Sequence, residues 1–121
     1  MMYFSDKEIS CKCGCGLKSI APIALETLNK IRVIYAKPMT INSACRCLEH
    51  SKNIGTSLTS AHTPQKDGLC YAFDISCTKS SDRYEILKIA LALGAKRIGL
   101  HKEFIHLDWS PYHDQKVVWF Y

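Results

Sequence analysis

Apolar residues recur at helical spacing over residues 22–35, where Ile23, Leu25, Leu28, Ile31 and Ile34 predict a first long helix that ends before Lys37-Pro38. A second helix is predicted to open at Ser80-Ser81-Asp82, to bury Ile86, Ile89, Ala90, Leu91 and Leu93, and to stop at Gly94. Ser5-Asp6-Lys7-Glu8 has the spacing of a capping box and predicts a short helix ahead of a cysteine-rich turn. Runs of β-forming residues lie at 39–43, 72–76, 97–100, 103–109 and 116–121. This order predicts a small α+β domain with a mainly antiparallel sheet and helices packed on one face. Side chains alternate along a strand, so His106 and Asp108 share one face while Ile105 and Leu107 point inward, and Asp74 faces opposite Phe73 and Ile75.

At 121 residues and 47% hydrophobic content, the chain is expected to form one domain over 1–121 around a single core. The formal charge of +5 is spread along the chain and favours anionic surroundings such as wall polymer, membrane surface or nucleic acid. The N-terminus has no basic region followed by an apolar run, and no stretch approaches the roughly 18 apolar residues of a membrane span. The expectation is synthesis in the cytoplasm without a signal peptide, any role outside it depending on another route of release.

Seven cysteines are present, at 11, 13, 15, 45, 47, 70 and 77. Without a signal peptide, reduced thiols or metal binding are favoured over a disulfide framework. A second, structural metal held by Cys11, Cys13, Cys15, Cys45 and Cys47 stands beside the plainer reading of buried or partly oxidised thiols. Cys70 and Cys77 are read as small core residues.

His62, Asp74 and His106 read together as a His/Asp/His metal site. Two imidazoles and a carboxylate suit zinc and leave a fourth position open, as catalytic sites do. Such a site generates a nucleophile from water near neutral pH and polarises a carbonyl, which points to amide hydrolysis. His50 and His113 are read as ordinary histidines, Trp109, Trp119 and the tyrosines as packing residues, and Lys96-Arg97 as a solvated helix exit.

The ordered set Cys11-Lys12-Cys13-Gly14-Cys15-Gly16, Ile41-Asn42-Ser43-Ala44-Cys45-Arg46 with Glu49-His50, Ser60-Ala61-His62, Gly68 with Tyr71-Ala72-Phe73-Asp74-Ile75, Ile98-Gly99-Leu100, Phe104-Ile105-His106-Leu107-Asp108 and Val117-Val118-Trp119-Phe120-Tyr121 resembles a family of peptidoglycan-cleaving hydrolases. These are the zinc D-Ala-D-Ala carboxypeptidases and L-alanyl-D-glutamate endopeptidases, which share a fold with the hedgehog signalling domain. The resemblance implies a metallopeptidase acting on stem peptides of the bacterial cell wall, in a setting such as a phage endolysin or a wall-remodelling enzyme. It places His62, Asp74 and His106 at the three zinc-ligand positions and Arg46 at the arginine that fixes a substrate carboxylate, and Ser60 is expected to bind substrate as well. Glu103 matches the acidic catalytic position of some phage endolysins and is the first choice for proton transfer; His101, which matches a histidine assisting the tetrahedral intermediate in some members, is the second. Asp108 is placed to orient a ligand imidazole.

One departure is visible. His62 and Asp74 are twelve positions apart, more than in most relatives, and the extra residues 63–67 read as a loop insertion beside the metal that bears on which stem fits. The expected partner is the stem peptide, the expected state a monomer, and no nucleic acid is expected, since aromatic residues are not interleaved with the basic ones. Two rival classes are a non-enzymatic zinc-containing binding module of the same fold and, more remotely, a nucleic-acid-binding zinc module.

Overall fold

A computed structural model of the chain describes residues 3–121. In chain order the elements are α1 (Asp6–Ile9), α2 (Pro22–Tyr35), β1 (Thr40–Ser43), α3 (Leu48–Asn53), β2 (Ala72–Ser76), α4 (Ser80–Ala92), β3 (Arg97–Leu100), β4 (Phe104–Asp108) and β5 (Val117–Phe120). The fold is α+β. Five strands form one sheet in the order β1-β2-β4-β3-β5, antiparallel at every pairing except β3 with β5. Among the described residues, no helix is long and apolar enough to cross a membrane.

Strand alternation divides the sheet into two chemically different faces. Phe73, Ile75, Ile98, Ile105 and Leu107 join Leu28 and Ile31 of α2 and Ile86, Ile89 and Ala90 of α4 in one buried cluster. Each large apolar side chain fully buried there contributes roughly 1.5–3 kcal/mol. The opposite face carries Asp74, Gly99, His106, Asp108 and Trp119.

The helix ends follow local chemistry. At α1 the Ser5 hydroxyl accepts from the Glu8 amide at 3.2 Å and the Glu8 carboxylate accepts from the Ser5 amide at 3.0 Å, closing the capping box. Pro22 opens α2, where its missing N–H costs nothing, and Ala36 in a left-handed conformation ends it. The buried stripe of α2 is Ala24, Thr27, Leu28, Ile31 and Tyr35, while Ile23 and Ile34 are exposed. This corrects the predicted stripe, because α2 is apolar over more of its circumference than the core covers. Leu91 of α4 is likewise exposed, not buried.

Three further expectations are corrected. Helix α3 has no counterpart in the sequence reading; it is capped by the Cys47 sulfur, which accepts from the His50 amide at 3.3 Å. Cys45 and Cys70 form a disulfide across 25 positions, so Cys45 leaves the proposed five-cysteine metal set and Cys70 is more than a small core residue. Arg97 belongs to β3 and is half-buried, so it is no solvated helix exit.

Candidate active site

Strands β2 and β4 pair so that Asp74 stands directly opposite His106. Asp74 Oδ1 lies 3.0 Å from His106 Nδ1 and 3.1 Å from His62 Nε2. His62 comes from the loop before β2. Its Nδ1 is 2.7 Å from the Ala44 carbonyl and must donate to it, which leaves the Nε2 lone pair aimed at Asp74. Nε2 is buried and has no hydrogen-bond partner among the described residues, since a lone pair facing a carboxylate oxygen makes none. His106 is held from behind in the same manner, Nε2 lying 2.7 Å from Asp108 Oδ2 and Nδ1 facing the site.

The three ligand atoms lie within 4.8 Å of one another. Ligand atoms about 2.0–2.2 Å from a tetrahedral zinc are roughly 3.4 Å apart. Small displacements therefore convert the metal-free cluster into a zinc site, and the orphaned His62 Nε2 is the atom that a cation would satisfy. Donor chemistry and geometry both fit.

Burial alone would push the Asp74 carboxyl up, but the hydrogen bond from the His106 imidazole beside it wins and holds it well below the usual carboxylate range. Burial also disfavours a charged His106; hydrogen bonds to Asp108 and Asp74 outweigh it and raise its pKa. Asp108 is itself lowered, against burial, by His106, Arg97 and the Ser110 amide. Its Oδ1 accepts from Arg97 Nε at 2.7 Å and from the Ser110 N–H at 3.1 Å. Arg97 in turn packs over the Trp119 ring at 5.2 Å.

The cluster opens into a cavity of about 400 Å³. Arg46, Thr56, Ser57, Thr59 and Ser60 form one wall, and Phe104, Trp119 and Tyr121 the other. Arg46 Nη2 donates to Ser60 Oγ at 3.3 Å, and Ser60 Oγ also accepts from the His62 amide at 3.2 Å. Arg46 Nε is buried without a partner among the described residues, and burial lowers the guanidinium pKa from a value so high that the charge persists. Trp119 approaches His106 at 5.2 Å between ring centroids.

His101 and Glu103 occupy the turn between β3 and β4. Glu103 is exposed, and its amide donates to His101 Nδ1 at 3.0 Å. The His101 ring stacks on Phe104 at 4.4 Å and meets the edge of Tyr121 at 5.6 Å. Phe104 and Tyr121 line the cavity; His101 and Glu103 are not among its lining residues. Residues 63–67 do not line it either. Gln65 instead ties this loop back to the Ser60 and Thr63 carbonyls at 2.9 and 2.8 Å.

Sequence reasoning missed Arg97, His113, Trp119 and Tyr121 as cavity residues. For Trp119 and Tyr121 a signal existed: they alternate with the exposed Val118 and Phe120, so they share the face of Gly99 and His106. His113 bridges Ser110 Oγ at 2.7 Å and the Thr59 carbonyl at 2.8 Å, a loop-to-loop contact with no local signature.

A second cluster gathers Cys11, Cys13, Cys15 and Cys47, whose sulfurs all lie within 4.8 Å of one another. Burial would raise the Cys11 thiol, but hydrogen bonds from the Cys47 and Cys13 backbone and from neighbouring thiols bring its pKa down to about 7.

A protein-family model described as peptidase M15 matches residues 2–108, a span that contains His62, Asp74, His106 and both cysteine groups. No curated protein and no solved structure gives a significant match. A match of that length, together with an open His/Asp/His cluster at the floor of a cleft, places the chain in the peptidase M15 family, a family of zinc-dependent metallopeptidases of peptidoglycan.

Proposed function

We propose that the chain hydrolyses a D-amino-acid-containing amide bond in peptidoglycan stem peptides, as a D-Ala-D-Ala carboxypeptidase or an L-Ala-D-Glu endopeptidase, acting as a monomer on the cell wall. The observation that carries this is the convergence of His62 Nε2, Asp74 Oδ1 and His106 Nδ1 at the floor of a cavity whose wall presents a half-buried arginine. One catalytic zinc ion bound there would act as a Lewis acid toward the scissile carbonyl and lower the pKa of water. The cysteine cluster is a further candidate for metal.

The chain's own groups account for the rest. Arg46 grips a substrate carboxylate through its planar guanidinium, and Ser60 orients it. Phe104, Trp119 and Tyr121 line the cleft with ring surface of low polarity, beside which charge interactions are stronger than in open water. Asp108 fixes the His106 tautomer so that Nδ1 faces the metal. Proton transfer is assigned to Glu103, with His101 as the second candidate. Catalytic hydrogen bonds are often formed only once substrate is bound, so a position outside the metal-free cavity does not disqualify the turn that carries both. A net charge of +5 suits an anionic wall polymer, and release in the manner of a phage lysis enzyme would bring the protein to it.

One observation favours a second reading. With Glu103 and His101 outside the cavity lining, the cleft presents no carboxylate among the described residues apart from Asp74 and Asp108, which suits a zinc-containing binding module of the same fold. Mass-spectrometric product analysis of purified peptidoglycan and synthetic stem peptides separates the two. Loss of a terminal D-Ala or cleavage after L-Ala, abolished by His106→Ala, establishes the enzyme and names the bond. Absence of product from folded, zinc-loaded protein supports the binding module.

A further inference from the structure

Cysteines 11, 13 and 15 alternate in the turn after α1, and Cys47 lies 32 positions beyond Cys15 at the start of α3. In an extended chain, residues two apart point the same way but stand more than 6 Å from each other. Here Gly14 adopts a left-handed conformation, with φ of 86°, and folds the three cysteines toward one point. Cys11 Sγ is 3.4 Å from Cys13 Sγ and 3.8 Å from Cys47 Sγ, and Cys13 Sγ is 3.7 Å from Cys47 Sγ. Sulfurs about 2.3 Å from a tetrahedral zinc are roughly 3.8 Å apart. A disulfide needs about 2.05 Å. Two backbone amides also point at sulfur, Cys47 N–H to Cys11 at 3.4 Å and His50 N–H to Cys47 at 3.3 Å, an arrangement that stabilises thiolate charge. The Cys45–Cys70 disulfide removes the fifth cysteine from the set and leaves four, which is the number of a closed structural site.

The position of Arg46 gives this cluster a consequence for the cleft. Cys45 on one side of it is bonded to Cys70, which leads into the strand carrying Asp74. Cys47 on the other side belongs to the cluster, and the Arg46 amide itself donates to the His62 carbonyl at 2.9 Å. We infer that Cys11, Cys13, Cys15 and Cys47 hold a second, structural zinc ion, and that this ion and the disulfide together clamp the backbone of Arg46 from both sides. Arg46 is thereby set over the cleft by covalent and metal bonds to its two neighbours, two positions ahead of a six-residue helix too short to fix it. The clamp's effect on substrate rests on the reading of Arg46 as the carboxylate-binding group; the metal site does not.

The test uses zinc-loaded full-length protein and counts metal by native mass spectrometry. Two zinc ions per chain are expected, falling to one in His106→Ala and to one in Cys13→Ser, whose cysteine is exposed. Cobalt(II) replacing zinc in His106→Ala should give an intense near-ultraviolet sulfur-to-cobalt band, and zinc should protect four of the five free thiols from a thiol reagent. A metal-free His106→Ala protein, a missing sulfur-to-cobalt band, or four thiols that stay reactive in zinc each overturn the site. None of these readouts needs peptidase activity, so a chain that cuts no stem peptide but passes them sinks the peptidase reading alone. If it does cut, Cys13→Ser should raise KM about tenfold with kcat nearly unchanged; an unchanged KM in a variant that has lost the cluster's zinc overturns the clamp.

Discussion

Asp74 and His106 are register partners on neighbouring strands, and Asp74 Oδ1 lies 3.0 Å from His106 Nδ1. In metal-free protein the hydrogen bonds to Asp108 and Asp74 raise the His106 pKa in spite of its burial. Since the folded value exceeds the unfolded one, of about 6.5, the stabilisation is fully present below pH ~6.5 and is lost as pH rises through the folded value. Zinc requires Nδ1 unprotonated and has the opposite dependence. This contribution to the stability of metal-free protein should therefore decline above pH ~6.5, while zinc affinity rises and binding releases a proton. Thermal melts across pH, with calorimetry in buffers of different ionisation enthalpy, check both signs.

Asp108→Asn keeps the shape of the side chain that anchors His106 and removes its charge. His106 Nε2 and the half-buried Arg97 both lose a charged acceptor. Zinc affinity at the His site should fall about 10- to 100-fold. Competition with a chelator of known affinity measures it, and an unchanged constant would show that Asp108 does not hold the ligand.

Gly99 is the cross-strand partner of both His106 and Trp119. A Cβ at this position would come within 2.7 Å of the Trp119 ring. The rigid indole cannot yield without leaving its place over His106. Gly99→Ala should destabilise the fold by about 1–3 kcal/mol and open the aromatic wall of the cleft. Denaturant unfolding and Trp fluorescence would register the two effects separately.

Much of this architecture was legible because β2 and β4 keep strict alternation: Phe73 and Ile75 read as inward, and Asp74 and His106 therefore as outward on one face. Once these strands pair, two metal ligands meet. His62 had no such periodic context and was carried by the ordered motifs of the family resemblance. Helix α3 was invisible because six residues offer too little period to read and its cap is a cysteine sulfur. The Cys45–Cys70 bond joins segments whose approach is fixed by the rest of the fold, so spacing alone could not reveal it. Arg97 looked solvated beside Lys96 because its partner Asp108 is found only through the β3–β4 register.

The disulfide closes a loop of 25 positions that contains α3, Ser60 and His62. Loop-closure entropy for that length predicts about 3–4 kcal/mol of stabilisation. A Cys45→Ala, Cys70→Ala double variant should lose roughly that amount in denaturant unfolding, yet keep its His-site zinc, since His62 remains held by the Ala44 carbonyl. Loss of the zinc along with the disulfide would mean that the bond, and not this hydrogen bond, positions the ligand.

Arg46→Lys separates charge from geometry at the cleft wall. Lysine keeps the positive charge and loses the two parallel N–H donors with which a guanidinium meets a carboxylate, as well as the fixed plane that reaches Ser60 Oγ. A hydrogen bond to a charged group contributes about 1.5–3 kcal/mol, so KM for a stem peptide ending in a free carboxylate should rise about 10- to 100-fold. The carboxylate is gripped equally in the bound substrate and the transition state, which predicts a much smaller change in kcat. The same substitution tested on a peptide whose C-terminus is amidated should change little, because the group that Arg46 binds is already gone. Equal losses on both peptides would place Arg46 in the chemistry itself, at the developing charge on the scissile carbonyl, and not at the substrate's terminus.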